Sequence, residues 1–248
     1  MDLNTSEPAM VVEGFIYNDS VSQVHLTRTT SYFSSEEPEI IEDATVWISD
    51  GNTSEELEYR GNGYYAGTSV TGIENRNYRL EIEHNGTTYN GDSYMPLKSE
   101  IISLRYIKDE SVSIFNPFGK IVYTIVCVFR DDPATDNYYM IRFMKDNKMV
   151  EDSYYLLTEN NANNGSISND NNIITFEESV FFEGGEVDVQ LLSIDKRVYM
   201  YFTQLNDVLF WKRRVIPPTP YNPESNIDNG ALGYFAAWAY DSQRIVLE

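Results

Sequence analysis

From Met10 to Tyr94, apolar side chains recur at every second residue in short runs broken by turn residues. Ala44, Val46 and Ile48 alternate with Thr45, Trp47 and Ser49, and Tyr78, Leu80 and Ile82 alternate with Arg79, Glu81 and Glu83. A period of two marks strands with one buried face. The pattern predicts strands at Met10–Tyr17, Val21–Thr27, Ala44–Ser49, Glu55–Tyr59, Tyr64–Gly67, Arg76–His84 and Thr87–Tyr94. The last two flank Asn85-Gly86, a pair that tolerates positive φ at both positions and so predicts a tight hairpin. Short strands at this spacing predict a β-sandwich.

Pro96 closes this stretch, and longer strands follow at Ile101–Ile107, Lys120–Arg130, Tyr138–Lys145 and Met149–Leu157. Both faces of the second are apolar, with Ile125, Cys127 and Phe129 on one and Val122, Val126 and Val128 on the other, which predicts a central strand. Glu159–Asn172 is rich in Asn with almost nothing apolar, and reads as a long exposed loop. Strand patterning resumes at Ile173–Phe176 and Glu186–Ser193. After Asp195, a plausible N-cap, the residues Val198, Tyr201, Phe202, Leu205, Val208 and Leu209 fall on one helical stripe. Lys212, Arg213 and Arg214 follow, where cations favour the helix dipole, and the prolines at 217, 218, 220 and 223 prevent continuation. Gly230–Tyr240 and Arg244–Leu247 are closing strands. The expected fold is mainly β: a sandwich over residues 1–97, then a β-rich domain over 98–248 that carries one amphipathic helix near 195–213.

The chain has 248 residues and a formal net charge of −21, with a sequence pI near 4.3. Both halves are acidic, which excludes sequence-independent binding to nucleic acid or an anionic bilayer. No run reaches the roughly 18–20 apolar residues needed to cross a membrane as a helix. Met1 is followed directly by Asp2, with no basic or apolar leader region. On composition, the protein is either cytoplasmic or its leader has been trimmed.

Catalytic signatures are few. The lone cysteine, Cys127, lies in a strongly β-forming run and reads as a small core residue. Neither of the two histidines is linked to it: His84 reads as a solvated turn residue and His25 as a surface imidazole on a strand. No zinc motif or phosphate loop occurs. Gly67-Thr68-Ser69-Val70-Thr71-Gly72 lacks the spacing of a nucleophile elbow and reads as a turn. The acidic runs Glu36-Glu37-Pro38-Glu39 with Glu42-Asp43, and Asp131-Asp132 with Asp136, could hold Ca²⁺ without matching a recognised loop, and read first as solvated acidic faces. No catalytic residue or metal ligand is assigned. Trp47 is the leading candidate for an exposed aromatic, because Val46 and Ile48 claim the opposite face, and such a ring can stack on sugars or other planar ligands. Asn163 and Asn164, in the polar loop, are further candidates for ligand contact. Trp211 and Trp238 read as core.

A series of fragments carries a family resemblance. Asp2-Leu3-Asn4 and Val11-Val12-Glu13-Gly14 open it. Ala44-Thr45-Val46-Trp47-Ile48-Ser49-Asp50, Gly63-Tyr64-Tyr65, Tyr78-Arg79-Leu80, Tyr94-Met95-Pro96 and Leu192-Ser193-Ile194-Asp195-Lys196 follow. The most specific is Pro223-Glu224-Ser225-Asn226-Ile227-Asp228-Asn229-Gly230-Ala231-Leu232-Gly233-Tyr234-Phe235. Together they resemble the Bacteroidota outer-membrane lipoproteins of the family domain of unknown function 4249. The resemblance implies that the N-terminal sandwich is similar to carboxypeptidase regulatory-like and transthyretin-like modules. It implies export, with a lipid-bearing cysteine before the present start as the sole tie to the membrane, and a soluble protein once that anchor is absent. It implies a surface-exposed accessory role beside a TonB-dependent transporter, binding a nutrient or other ligand. It transfers no catalytic residue, and Gly230 and Gly233 in the closing segment read as permitting a turn or close backbone approach. The expectation is a non-enzymatic protein without a cofactor. Two alternatives remain: a docking module using sheet edges and Lys212–Arg214, and, more remotely, a hydrolase using paired carboxylates.

Overall fold

The structure is a computed structural model and describes residues 8–30, 37–110, 121–132, 135–146, 148–150, 156–159, 166–168, 173–180, 184–210 and 221–248. In chain order its strands are β1 (Met10–Tyr17), β2 (Val21–Arg28), β3 (Thr45–Ser49), β4 (Ser54–Glu56), β5 (Glu58–Gly61), β6 (Tyr64–Thr71), β7 (Arg76–His84) and β8 (Thr87–Met95). Then come β9 (Ile101–Asp109), β10 (Val122–Arg130), β11 (Tyr138–Lys145), β12 (Lys148–Met149), β13 (Leu156–Glu159), β14 (Ser166–Ser168), β15 (Ile173–Val180) and β16 (Gly185–Ile194). The helix α1 (Lys196–Phe210) and the long strand β17 (Leu232–Leu247) complete the order. The fold is mainly β, as the alternation predicts.

Two compact units divide the chain: Met1–Pro96 with Ile194–Ala239, and Leu97–Ser193 with Tyr240–Glu248. The boundary read near residue 97 is therefore only the first crossing. The helix and the first half of β17 return to the N-terminal unit rather than belonging with residues 98–193. Local periodicity cannot reveal this, because the parallel pairing of β1 with β17 joins residues more than 200 positions apart.

In the first unit, β17, β1, β2, β6 and β5 form one sheet, and β4, β3, β7 and β8 form another. Val12, Ile16, Val24, Leu26, Phe235 and Ala237 from the first sheet pack with Val46, Ile48, Tyr78, Leu80 and Ile82 from the second in one buried cluster. Each such aliphatic side chain contributes roughly 1.5–3 kcal/mol on burial. The other face of the first sheet carries Phe15, Tyr17, Tyr234 and Trp238, and α1 lies against it. Phe202 sits 4.9 Å from the Tyr234 ring and 6.3 Å from the Trp238 ring, and Phe15 stacks on Trp238 at 6.0 Å. The stripe is deepest at Val198, Tyr201 and Phe202; Leu209, also placed on it, is 54% exposed. Asp195 caps the helix, accepting the Val198 N–H at 2.9 Å.

Two strand predictions change in an informative way. The run Glu55–Tyr59 divides at the buried Leu57, so that β4 pairs with β3 while β5 pairs with β6. The chain switches sheets there. Strand β6 runs on through Thr71, and Gly67–Val70 are not a simple turn. They bulge opposite the single residue Ser22, since Val21 pairs with Thr71 and Gln23 with Ala66. The Asn85-Gly86 hairpin forms as expected, with φ of 50° and 75°.

The second unit is another pair of sheets. One runs β14–β15–β10–β9; in the other, β12 and β13 border β11, which neighbours β16, and β17 continues beside it. Tyr123, Ile125, Cys127 and Phe129 pack against Tyr139, Ile141, Phe143, Val187, Val189 and Leu191. β10 is central, between β15 and β9. Within the segment read as one exposed loop, Ser166–Ser168 pairs with β15 as a strand. The strand read at Met149–Leu157 is instead the short β12 and β13, with residues 151–155 outside the described residues. The closing strands merge into the continuous β17.

Candidate functional site

The outer face of the β4–β3–β7–β8 sheet carries two large rings among polar side chains, Trp47 on β3 and the exposed Tyr94 on β8. Val46 and Ile48 are fully buried, so period two turns Trp47 to the other side, where it is half-buried. In register, Trp47 lies between Glu56 on β4 and Glu81 on β7. A shallow depression of about 210 Å³ opens there, lined by Trp47, Ile48, Ser49, Ser54, Arg79 and Glu81. Arg79 is braced: its Nη2 donates to Asn90 Oδ1 at 2.8 Å. Asn90 is held in turn, its backbone N–H donating to Asp228 Oδ1 at 2.6 Å and its Nδ2 to Asp228 Oδ2 at 3.2 Å. A flat ring beside a guanidinium, a carboxylate and two hydroxyls offers stacking together with both donors and acceptors. Asn163 and Asn164 lie outside the described residues, as do Trp211 and Lys212–Arg214.

Other titratable groups are engaged in holding the fold. The Glu55 carboxylate accepts the backbone N–H groups of Thr68, Ser69 and Val70 and the hydroxyls of Thr68 and Ser69, all at 2.6–3.2 Å. Burial pushes its pKa up, but these hydrogen bonds outweigh that and hold it below the usual carboxylate value. Because β4 and β6 belong to different sheets, Glu55 clasps the sandwich edge, and the Gly67–Val70 bulge exists to present those N–H groups. Nothing in the sequence pattern signals this pairing. Asp50 is likewise lowered: burial opposes, and the Thr53 and Asn52 N–H groups and Arg76 prevail.

His84 is not a solvated turn residue. It is buried, with Nε2 3.1 Å from Asp43 Oδ1. His25 does face outward, its ring stacked on Tyr64 at 4.2 Å and Nδ1 3.2 Å from Glu13 Oε2. Cys127 is buried in the core, where desolvation pushes its thiol up to about 12, far from thiolate chemistry. Of the acidic run at 131–136, Asp131 is buried and its Oδ1 accepts from Tyr139 Oη at 2.7 Å and Asn137 Nδ2 at 2.9 Å. Burial, with Asp131 adding to it, pushes the Tyr139 phenol strongly upward. Among the described residues, no group of three His, Cys, Asp or Glu side chains gathers to hold a metal ion.

The closing segment Pro223–Phe235 is a structural clamp. Phe235 N–H donates to Asn226 Oδ1 at 2.9 Å, and Asn226 Nδ2 donates to Phe235 O at 2.6 Å and Asp92 O at 3.1 Å. One amide thus ties β17 to β8. Two residues along, Ala237 N–H donates to Ser93 Oγ at 2.9 Å, and Ser93 Oγ–H and the Tyr94 N–H both donate to Asp195 Oδ2. Asp195 therefore caps α1 with one oxygen and anchors β8 with the other. A family model, the domain of unknown function DUF4249, matches residues 1–244. The chain belongs to the DUF4249 family. No curated protein matches it. In this DUF4249 chain, the segments that carry the resemblance at Asp195 and Asn226–Phe235 meet in one hydrogen-bonded junction within the first unit.

Proposed function

We propose that this DUF4249 chain is a non-enzymatic binding protein, lipid-anchored and surface-exposed at a Bacteroidota outer membrane, that serves a TonB-dependent transporter. The observation that carries the binding half of this reading is the Trp47 depression: a half-buried indole flanked by polar side chains, beside a braced arginine. An aromatic ring left at a solvent face beside fixed polar groups suits recognition better than packing. The histidines, Cys127, Glu55 and Asp131 are committed to structural contacts, which favours binding over catalysis. No helix among the described residues is long and apolar enough to cross a membrane, which is compatible with attachment through a lipid.

The accessory role is tested by affinity capture of the full-length, lipidated protein from its native outer membrane, with mass spectrometry of what comes with it. A co-purifying TonB-dependent transporter is the expected result. Recovery of the protein alone overturns the accessory role, and a stable complex that forms without any ligand moves the reading towards a docking module.

A further inference from the structure

We propose that the Trp47 depression binds a neutral saccharide, with one pyranose ring seated on the indole. This rests on reading the chain as a binding protein and names the ligand class of that site. A pyranose presents a face of C–H groups, suited to an aromatic ring, and a rim of hydroxyls that both donate and accept. The depression supplies the matching parts. Trp47 is the ring, Arg79 donates, Glu81 accepts, and Ser49 and Ser54 do either. The charges disfavour an anionic ligand. Arg79 has the Asp92 carboxylate 3.9 Å from its Nη1, so it offers hydrogen-bond donors to a sugar hydroxyl rather than an uncompensated positive charge. Glu81 in the depression and Glu56 across from Trp47 oppose a uronate or phosphate, and so does the net charge of −21.

Size narrows the ligand further. At about 210 Å³ the depression is smaller than the roughly 300–1,000 Å³ of pockets that enclose a drug-sized ligand. It holds one ring and leaves the rest of an oligosaccharide in solvent. The contact groups stand on strands rather than loops, and Arg79 is fixed through Asn90 and Asp228, so little ordering is required on binding.

The test is titration of the whole chain with cellotetraose, maltotetraose, xylotetraose and mannotetraose, and with tetragalacturonate as the charged control. The indole N–H resonances of Trp47, Trp211 and Trp238 are followed by NMR. At least one neutral tetrasaccharide is expected to shift the Trp47 indole at micromolar-to-millimolar concentration. Trp47→Ala is expected to weaken that binding by about tenfold or more, and Arg79→Ala by several-fold. Trp47→Phe keeps a ring on the strand and retains binding within a few-fold, which separates a lost platform from a lost fold. The inference is overturned if no neutral sugar moves the Trp47 resonance, if a folded Trp47→Ala chain binds as tightly as the parent, or if tetragalacturonate binds best. A chain that captures a transporter but no sugar fails this inference alone. One that binds sugar through Trp47 but captures no transporter fails the accessory reading alone.

Discussion

Gly233 and Gly230 lie three residues apart in the closing segment, both with positive φ (91° and 78°), yet they are constrained differently. A Cβ on Gly233 would stand 1.9 Å from the Val12 carbonyl oxygen, whereas one on Gly230 would meet nothing within 4 Å. Gly230→Ala carries only the left-handed penalty, about 1–2 kcal/mol. Gly233→Ala adds a collision with the backbone of β1 and should cost about 4 kcal/mol or prevent folding. Denaturant unfolding of the two variants checks the ordering. Glu55 makes a second prediction. Its folded pKa lies below the ordinary 4.5, so its stabilisation is complete above that value and is lost as pH falls through the folded pKa. The stability gap between the parent and Glu55→Gln should therefore hold steady above pH 4.5 and narrow as the pH is lowered beneath that value; urea midpoints measured on both sides of it report the change.

Among the elements, α1 depends on Asp195. Replacing it with Ala removes the cap and leaves Ser93 and the Tyr94 N–H without their acceptor, so stability should fall by about 1–2 kcal/mol or more. Thermal unfolding of Asp195→Ala, followed by far-ultraviolet circular dichroism, measures this. Much at this scale was legible from pattern: β1, β2, β3, β7, β8 and the Asn85-Gly86 hairpin follow period two and turn chemistry, the α1 stripe follows period 3.6, and Trp47 falls on the outer face by parity alone. The Leu57 switch and the Gly67–Val70 bulge are set by partners distant in sequence, which no local period encodes, whereas His84 is buried because it continues the inward-facing series Tyr78, Leu80 and Ile82 along β7. Trp47 could be nominated from the sequence, but Arg79, Glu81 and Ser54 could not be gathered around it without the register of β3 with β4 and β7.

For the molecule as a whole, the decisive arrangement is the return of residues 194–239 to the N-terminal unit. A fragment of residues 1–97 lacks α1 and the β17 partner of β1, leaving Phe15 and Tyr17 uncovered and one edge of β1 unpaired. It should show no cooperative unfolding. A fragment that joins residues 1–96 to 194–239 through a short Gly/Ser linker should unfold cooperatively, since Asp195 Oδ2 already lies 3.1 Å from the Tyr94 backbone nitrogen. Calorimetry of the two fragments decides between this division and a cut at residue 97.

The claim that this DUF4249 chain is a binding protein is tested most directly by its melting temperature against a panel of neutral sugars, other small solutes and divalent cations. A ligand at 100 times its Kd stabilises the native state by about 2.7 kcal/mol, which for a chain of this size raises the melting temperature by roughly 5–10 °C. The account predicts such a rise for at least one neutral sugar, and its reduction by about half or more in Trp47→Ala at the same sugar concentration. A panel that leaves the melting temperature unmoved, or a rise that persists undiminished in Trp47→Ala, contradicts it.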